Sequence, residues 1–124
     1  MIDKNEFNRA WAQIHLDRLK RNIEKCRSLI KPPCELMCVV KANCYGHGAD
    51  SVIPYMEESC GVDWFAVSTL IEAIELRDLG VSGEILILGY TPPECAPELI
   101  KYDIIQAVTA VSYTHLTLPT KSIV

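Results

Sequence analysis

Lys41 is the residue of this chain whose position most strongly suggests chemistry. It directly follows an apolar run at residues 36–40, which is typical of a buried strand. The carboxyl end of a buried parallel strand is where ligands and catalytic groups collect, and a lysine amine held there can form a Schiff base with a carbonyl compound. Lys41 is therefore a candidate catalytic nucleophile.

The residues after Lys41 have the composition of a turn that approaches a ligand. Gly46 and Gly48 free the backbone for tight conformations, and a helix beginning after Gly48 would present its positive end to a phosphate. Tyr45 could contact that phosphate or an aromatic ring, and His47 is interpreted as a polar turn residue. The ordinary alternative is a solvated lysine followed by a simple turn. The residues by themselves leave both interpretations open.

Strand-like and helix-like segments alternate along the chain. The strand candidates at residues 36–40, 64–67, 85–88 and 104–108 are continuous apolar runs, which predicts strands buried on both faces and covered by helices. The order is a helix, then a strand and a helix three times, then a strand, as in βαβ units. A doubly wound sheet and about half of a (β/α)8 barrel both fit this order. The pattern does not choose between them.

Two helix starts carry capping signals. Thr69 followed by Glu72 predicts a capping box, and Gly80 predicts the left-handed end of the same helix. Thr91 is predicted to cap another helix, with Pro92 at its first position.

Composition and charge exclude several kinds of partner. The net charge of −4 argues against nucleic acid, and the glycine spacing matches neither the G-x-G-x-x-G nor the Walker motif. The 6 cysteines form no C-x-x-C pair, which predicts reduced thiols and no metal site. Residues 1–6 lack the apolar segment of a signal peptide. We therefore predict a small-molecule partner and a cytoplasmic location. A parent that is a membrane protein, with this chain in its cytoplasmic domain, is the alternative.

Residues 39–48 read Val-Val-Lys-Ala-Asn-Cys-Tyr-Gly-His-Gly and resemble the signature at which alanine racemases attach pyridoxal 5'-phosphate (PLP). The resemblance covers residues 8–108. Residues 11–17 are similar to the family's opening strand, and residues 64–80 are similar to its second βα unit. Cys44 stands where the family usually has alanine.

The resemblance implies a fold and an activity. Residues 1–108 would form about the first half of a PLP-binding (β/α)8 barrel, with residues 11–16 as a strand of a second domain that the chain lacks. The parent would be a homodimer that interconverts L- and D-alanine. Lys41 would anchor PLP and act as one of two proton-transfer bases, and Tyr45 would help to hold the cofactor. The opposing base and the phosphate site would lie in later segments, so this chain alone is expected to be inactive.

Three alternatives remain beside alanine racemase. Residues 88–93, Leu-Gly-Tyr-Thr-Pro-Pro, are similar to the racemase part of membrane-bound serine/alanine racemases, so serine is an alternative substrate. A fold-type-III decarboxylase shares Lys-Ala-Asn but lacks the Tyr-Gly-His-Gly continuation. A non-catalytic PLP-binding barrel protein is the remaining alternative, and the second-domain strand at residues 11–16 argues against it.

The family pattern breaks off after residue 108. The segment at residues 109–124 contains Val-Ser-Tyr-Thr-His-Leu-Thr-Leu-Pro-Thr, which looks like a translated sequencing adapter rather than protein sequence. We predict that an independent genomic read through codons 109–124 departs from the sequence printed here. A clean read that reproduces those codons would refute the adapter origin.

Overall fold

The computed structural model describes residues 10–108. None of the helices in this range is long and apolar enough to cross a membrane. Helices and strands alternate as the sequence predicts. In chain order, the elements are α1 (Leu16–Leu29), β1 (Met37–Val39), α2 (Lys41–Tyr45), α3 (Ala49–Cys60), β2 (Trp64–Val67), α4 (Leu70–Asp78), β3 (Glu84–Ile87), a 3-10 turn (Pro93–Cys95), α5 (Ala96–Lys101) and β4 (Ile105–Gln106).

The four strands form one parallel sheet in the order β1-β2-β3-β4. Each strand therefore pairs with the next one along the chain, and the connection between them is a helical crossover. A doubly wound sheet reverses its strand order at a switch point, whereas a (β/α)8 barrel adds strands sequentially. The observed order selects the partial barrel over the doubly wound alternative.

The hydrophobic core lies between the helices and one face of the sheet. Phe65 and Ile85 are fully buried there. On β1, Met37 and Val39 are exposed and Cys38 between them is partly buried, and Val40, directly after the strand, is buried. The prediction that both faces of the strands are covered is therefore wrong for β1, whereas the consecutive residues Phe65, Ala66 and Val67 of β2 are all buried, as predicted. Helices cover one face, as on the outside of a barrel.

The cap of α4 is confirmed and the start of α5 is corrected. Thr69 and Glu72 form the predicted capping box, and Gly80 takes the left-handed conformation with φ +89°. The helix predicted to begin at Pro92 starts later, as a 3-10 turn at Pro93 that leads into α5. The reason is local, because a proline disfavours the helical conformation of the residue before it. Pro92 accordingly has the extended angles φ −58° and ψ 140°.

Residues 11–15 lie in neither a helix nor a strand, and Leu16 is the first residue of α1. The described residues therefore do not form the predicted strand at residues 11–16, and the last of these residues is helical instead. Trp11 is 80% exposed and packs against little of the described chain. A strand needs a neighbouring strand to bond with. The assignment of this segment to a second domain stays a prediction.

Arg77 ties together the loops at the amino-terminal edge of the sheet. Its guanidinium donates to the carbonyl oxygens of Val81 and Gly83, before β3, and of Tyr102 and Asp103, before β4, each at 2.8 Å. The planar fork of arginine suits such divergent acceptors, whereas the lysine ammonium is a single point donor. This one side chain therefore fixes the spacing of two strand entrances.

We expect Arg77→Lys to lower the free energy of unfolding by about 1 to 3 kcal/mol, because several charge-assisted hydrogen bonds are lost while the charge is kept. Urea denaturation of the full chain measures this loss. Arg21→Lys is the control, since Arg21 forms only a surface pair with Asp17 and both side chains are 66% exposed. The control should change stability by less than about 0.5 kcal/mol. Equal losses in the two variants would contradict the structural role of Arg77.

Candidate functional site

Lys41 lies at the carboxyl edge of the sheet, as the sequence predicts. The bonding of β1 to β2 continues one residue past β1, because the Val40 N–H donates to the Ala66 carbonyl at 2.8 Å. Val40 is buried, which fixes the backbone immediately before Lys41. The lysine itself is half-buried, and its amine is in none of the ion pairs within residues 10–108. The amine of Lys41 is thus held at the mouth of the partial barrel.

The backbone after Lys41 is left-handed over four consecutive residues. The φ angles of Ala42, Asn43, Cys44 and Tyr45 are +52°, +53°, +56° and +54°. This conformation brings Cβ close to the following carbonyl and costs roughly 1–2 kcal/mol per residue for L-amino acids. A run of four such residues therefore stores several kcal/mol, and contacts from the rest of the fold must outweigh it.

Asn43 supplies contacts inside the turn. Its side-chain Oδ1 accepts the N–H of Ala49 at 2.7 Å, at the start of α3. Its carbonyl accepts from the N–H of Gly46 and of Gly48, both at 3.2 Å. Asparagine also tolerates the left-handed region better than most residues. This residue therefore joins the strained turn to the helix that follows it.

Cys44 anchors the turn to the core. Its side chain is buried and belongs to the same hydrophobic cluster as the sheet and α3. Burial raises the pKa of the Cys44 thiol, which keeps the thiol neutral. The described cysteines are free thiols, and no cluster of His, Cys, Asp and Glu within residues 10–108 is arranged to hold a metal. Cys44 therefore acts as a small apolar residue, slightly larger than alanine.

The two predicted cofactor residues, Lys41 and Tyr45, lie at opposite ends of α2. The Tyr45 side chain is 59% exposed, so its ring and hydroxyl are available to a ligand. His47 lies just beyond, and its Nδ1 is 2.9 Å from the Cys44 carbonyl, which requires a proton on Nδ1. His47 is thus a turn residue, as interpreted from the sequence.

The start of α3 is less suited to a phosphate than the sequence suggested. The N–H of Ala49 is already bonded to the Asn43 side chain. Asp50 adds a negative charge to the first turn of the helix. A phosphate at a helix N-terminus depends on free N–H groups and a positive end. Within the described residues, the turn after Lys41 therefore offers an amine and an aromatic ring but no obvious phosphate cradle.

Glu72 makes a contact with the lysine-bearing turn that sequence reasoning missed. It was recognised only as part of the capping box of α4. In the structure, its carboxylate also accepts the N–H of Ala42, the residue directly after Lys41, at 2.8 Å. No local pattern could reveal a contact between residues 30 positions apart. The one available signal is that the carboxyl ends of neighbouring parallel strands lie side by side.

Comparison with known proteins identifies the same family as the resemblance of the sequence. The family model for the N-terminal domain of alanine racemase matches residues 14–117, which extends into the tail at residues 109–124. The origin of that tail stays a prediction.

Two curated relatives and one solved structure illustrate the similarity. An amino-acid racemase from Enterococcus faecalis is 45% identical over 116 residues, which is 94% of this chain and 16% of that protein. Alanine racemase 1 from Caldanaerobacter subterraneus is 38% identical over 82% of this chain and 26% of that protein. The alanine racemase of Clostridium difficile 630 in complex with cycloserine superposes with a TM-score of 0.75 and 37% identity, covering 82% of this chain and 27% of that one.

Sequential parallel strands, helices on one face and a lysine at the carboxyl edge define part of a (β/α)8 barrel with a lysine at its mouth. Within that class, the match of the family model and the sequence identity to its relatives identify the family. The chain belongs to the alanine racemase family. It spans about a quarter or less of the length of these relatives.

We expect Asn43→Ala to lower the free energy of unfolding by about 1 to 3 kcal/mol, because a helix cap is lost and alanine fits the left-handed region less well. Thermal or urea denaturation of the full chain measures the change. Asn22→Ala, on the exposed surface of α1, is the matched control and should have little effect. If the two variants were equally stable, Asn43 would not be holding the turn.

Proposed function

We propose that this chain is the N-terminal part of a PLP-dependent alanine racemase and that Lys41 is the residue to which PLP is attached. The observation that carries the proposal is the position of Lys41, a half-buried residue at the carboxyl edge of β1 whose amine has no ion-pair partner among the described residues. An amine in that position is available to form a Schiff base.

The residues present are compatible with PLP. The strained turn that bears Lys41 is fixed by the core through Cys44 and by hydrogen bonds to α3 and α4. A cofactor attached there would be held in a defined direction. Tyr45 exposes an aromatic ring and a hydroxyl on the same turn and would contact the cofactor. When bound, PLP supplies an electron sink that stabilises negative charge at the substrate Cα.

In this proposal, Lys41 has two tasks. It holds the cofactor in the resting enzyme, and its amine then takes or returns the proton at Cα from one side of the substrate. Racemisation requires a second base on the opposite side. We expect that base, together with the phosphate-binding residues, to come from parts of the enzyme outside this chain. The chain by itself is therefore expected to bind PLP without racemising alanine.

Alanine is the substrate that the comparisons favour, because the family model and most of the relatives described above carry its name. Serine and a non-catalytic PLP-binding barrel are not favoured. Assembly of the parent enzyme as a homodimer and its cytoplasmic location stay predictions.

Attachment is tested by incubating the full chain with PLP, reducing any Schiff base with borohydride and locating the modified lysines by mass spectrometry. We expect a new absorbance band and preferential modification of Lys41. Lys41→Ala should abolish both, whereas Lys25→Ala, an exposed lysine on α1, should preserve both. The proposal fails if Lys41 is modified no more than Lys25. Racemisation of alanine by the chain alone would refute the need for a second base from elsewhere.

A further inference from the structure

The carboxylate of Glu72 connects two loops at the carboxyl edge of the sheet. Its Oε1 accepts the N–H of Ala42 at 2.8 Å, in the loop after β1. Its Oε2 accepts the N–H groups of Ser68 at 2.7 Å and Thr69 at 3.1 Å, in the loop after β2. Glu72 itself lies in the first turn of α4. One side chain therefore joins the lysine-bearing turn, the neighbouring strand end and a helix.

The capping box does not explain this arrangement. A capping box needs one acceptor atom at this position, to bond the N-cap N–H, and glutamine serves there as well as glutamate. Here, Oε2 fulfils that role through Thr69. The second oxygen, Oε1, is directed out of the box to a residue 30 positions away. A glutamine has one carbonyl oxygen, and its NH2 group is a hydrogen-bond donor that cannot accept from a backbone N–H.

The position of Ala42 in the chain explains why its contact with Glu72 matters for Lys41. Ala42 directly follows Lys41 and is the first of the left-handed residues, with φ +52°. Alanine has no side-chain group with which to stabilise that conformation, so the restraint must come from its backbone. We propose that Glu72 is a positioning residue for Lys41: its carboxylate holds the Ala42 N–H and thereby fixes the direction in which the lysine leaves β1. This inference rests on the proposed role of Lys41 as the cofactor-bearing residue.

The charge of Glu72 is consistent with this role. Partial burial by itself would raise the pKa of the carboxyl group. The N–H donors of Ala42, Ser68 and Thr69, together with the nearby Lys41 ammonium, outweigh burial and hold the pKa of Glu72 below its ordinary value. The group is therefore ionised at neutral pH, and both oxygens are acceptors.

The chain contains a matched control at the opposite edge of the sheet. The carboxylate of Glu57 also braces backbone N–H groups, those of Ser82 at 2.9 Å and Gly83 at 2.6 Å, in the loop before β3. Glu57 thus makes the same kind of contact as Glu72 but at the other ends of the strands. Comparing Glu72→Gln with Glu57→Gln separates an effect on Lys41 from a general loss of stability.

The experiment measures PLP attachment to the full chain, trapped with borohydride and quantified at Lys41 relative to Lys25 in the same sample. We expect Glu72→Gln to slow attachment at Lys41 about tenfold, because a charge-assisted hydrogen bond is lost next to it. The ratio should stay within about twofold of the wild-type value in Glu57→Gln, since that change is remote from Lys41. A wild-type ratio in Glu72→Gln, or an equal loss in Glu57→Gln, would overturn the proposal.

Hydrogen exchange of the unmodified wild-type chain gives a second measurement that requires no variant to fold. The amide of Ala42 should be protected from exchange to a degree similar to those of Ser68 and Thr69, since one carboxylate holds all three. Exchange of Ala42 at the rate of an unprotected amide would overturn the proposal, even if Glu72→Gln failed to fold. If instead Ala42 is protected but PLP never attaches to Lys41, the proposed function fails, while the hydrogen bond from Ala42 to Glu72 is supported.

Discussion

The left-handed turn after Lys41 is the constraint on which the rest of the site depends. Four successive L-residues, Ala42 to Tyr45, occupy a region that each would avoid in isolation. The turn persists because surrounding contacts over-determine it: Cys44 is buried in the core, Asn43 bonds the start of α3 and Glu72 bonds Ala42. Strained backbone of this kind clusters at functional sites, which supports the proposed role of the turn.

The parallel sheet brings the residues that make those contacts close together. Because β1 and β2 are parallel neighbours with Val39 opposite Ala66, the loops that follow them emerge side by side. A helix that begins after β2 can therefore direct its first-turn carboxylate to the turn after β1. At the other edge, Arg77 and Glu57 restrain the loops that enter the strands. In barrel enzymes, the amino-terminal edge stabilises the fold and the carboxyl-terminal edge carries the site, and the proposed site of this chain likewise lies at the carboxyl edge.

The exposed positions of β1 fit the fraction of its relatives' length that the chain spans. Met37 and Val39 are exposed on a strand whose neighbouring residue Val40 is buried beneath helices. In a closed barrel, such inward positions are filled by side chains from the other strands. The chain covers 26% of the alanine racemase of Caldanaerobacter subterraneus, so it supplies part of a barrel and one side of the proposed chemistry.

The sequence by itself determined the local features. The strand at residues 64–67, the cap of α4 by Thr69 and the position of Lys41 after a strand all follow from patterns a few residues long, and the resemblance of residues 39–48 identified the family. Only the tertiary structure decided the sequential strand order, the exposure of Met37 and Val39 on β1 and the bond from Glu72 to Ala42. The reason is physical: strand order and contacts between distant residues depend on how separate segments pack and in which register they pair, and no local preference encodes either.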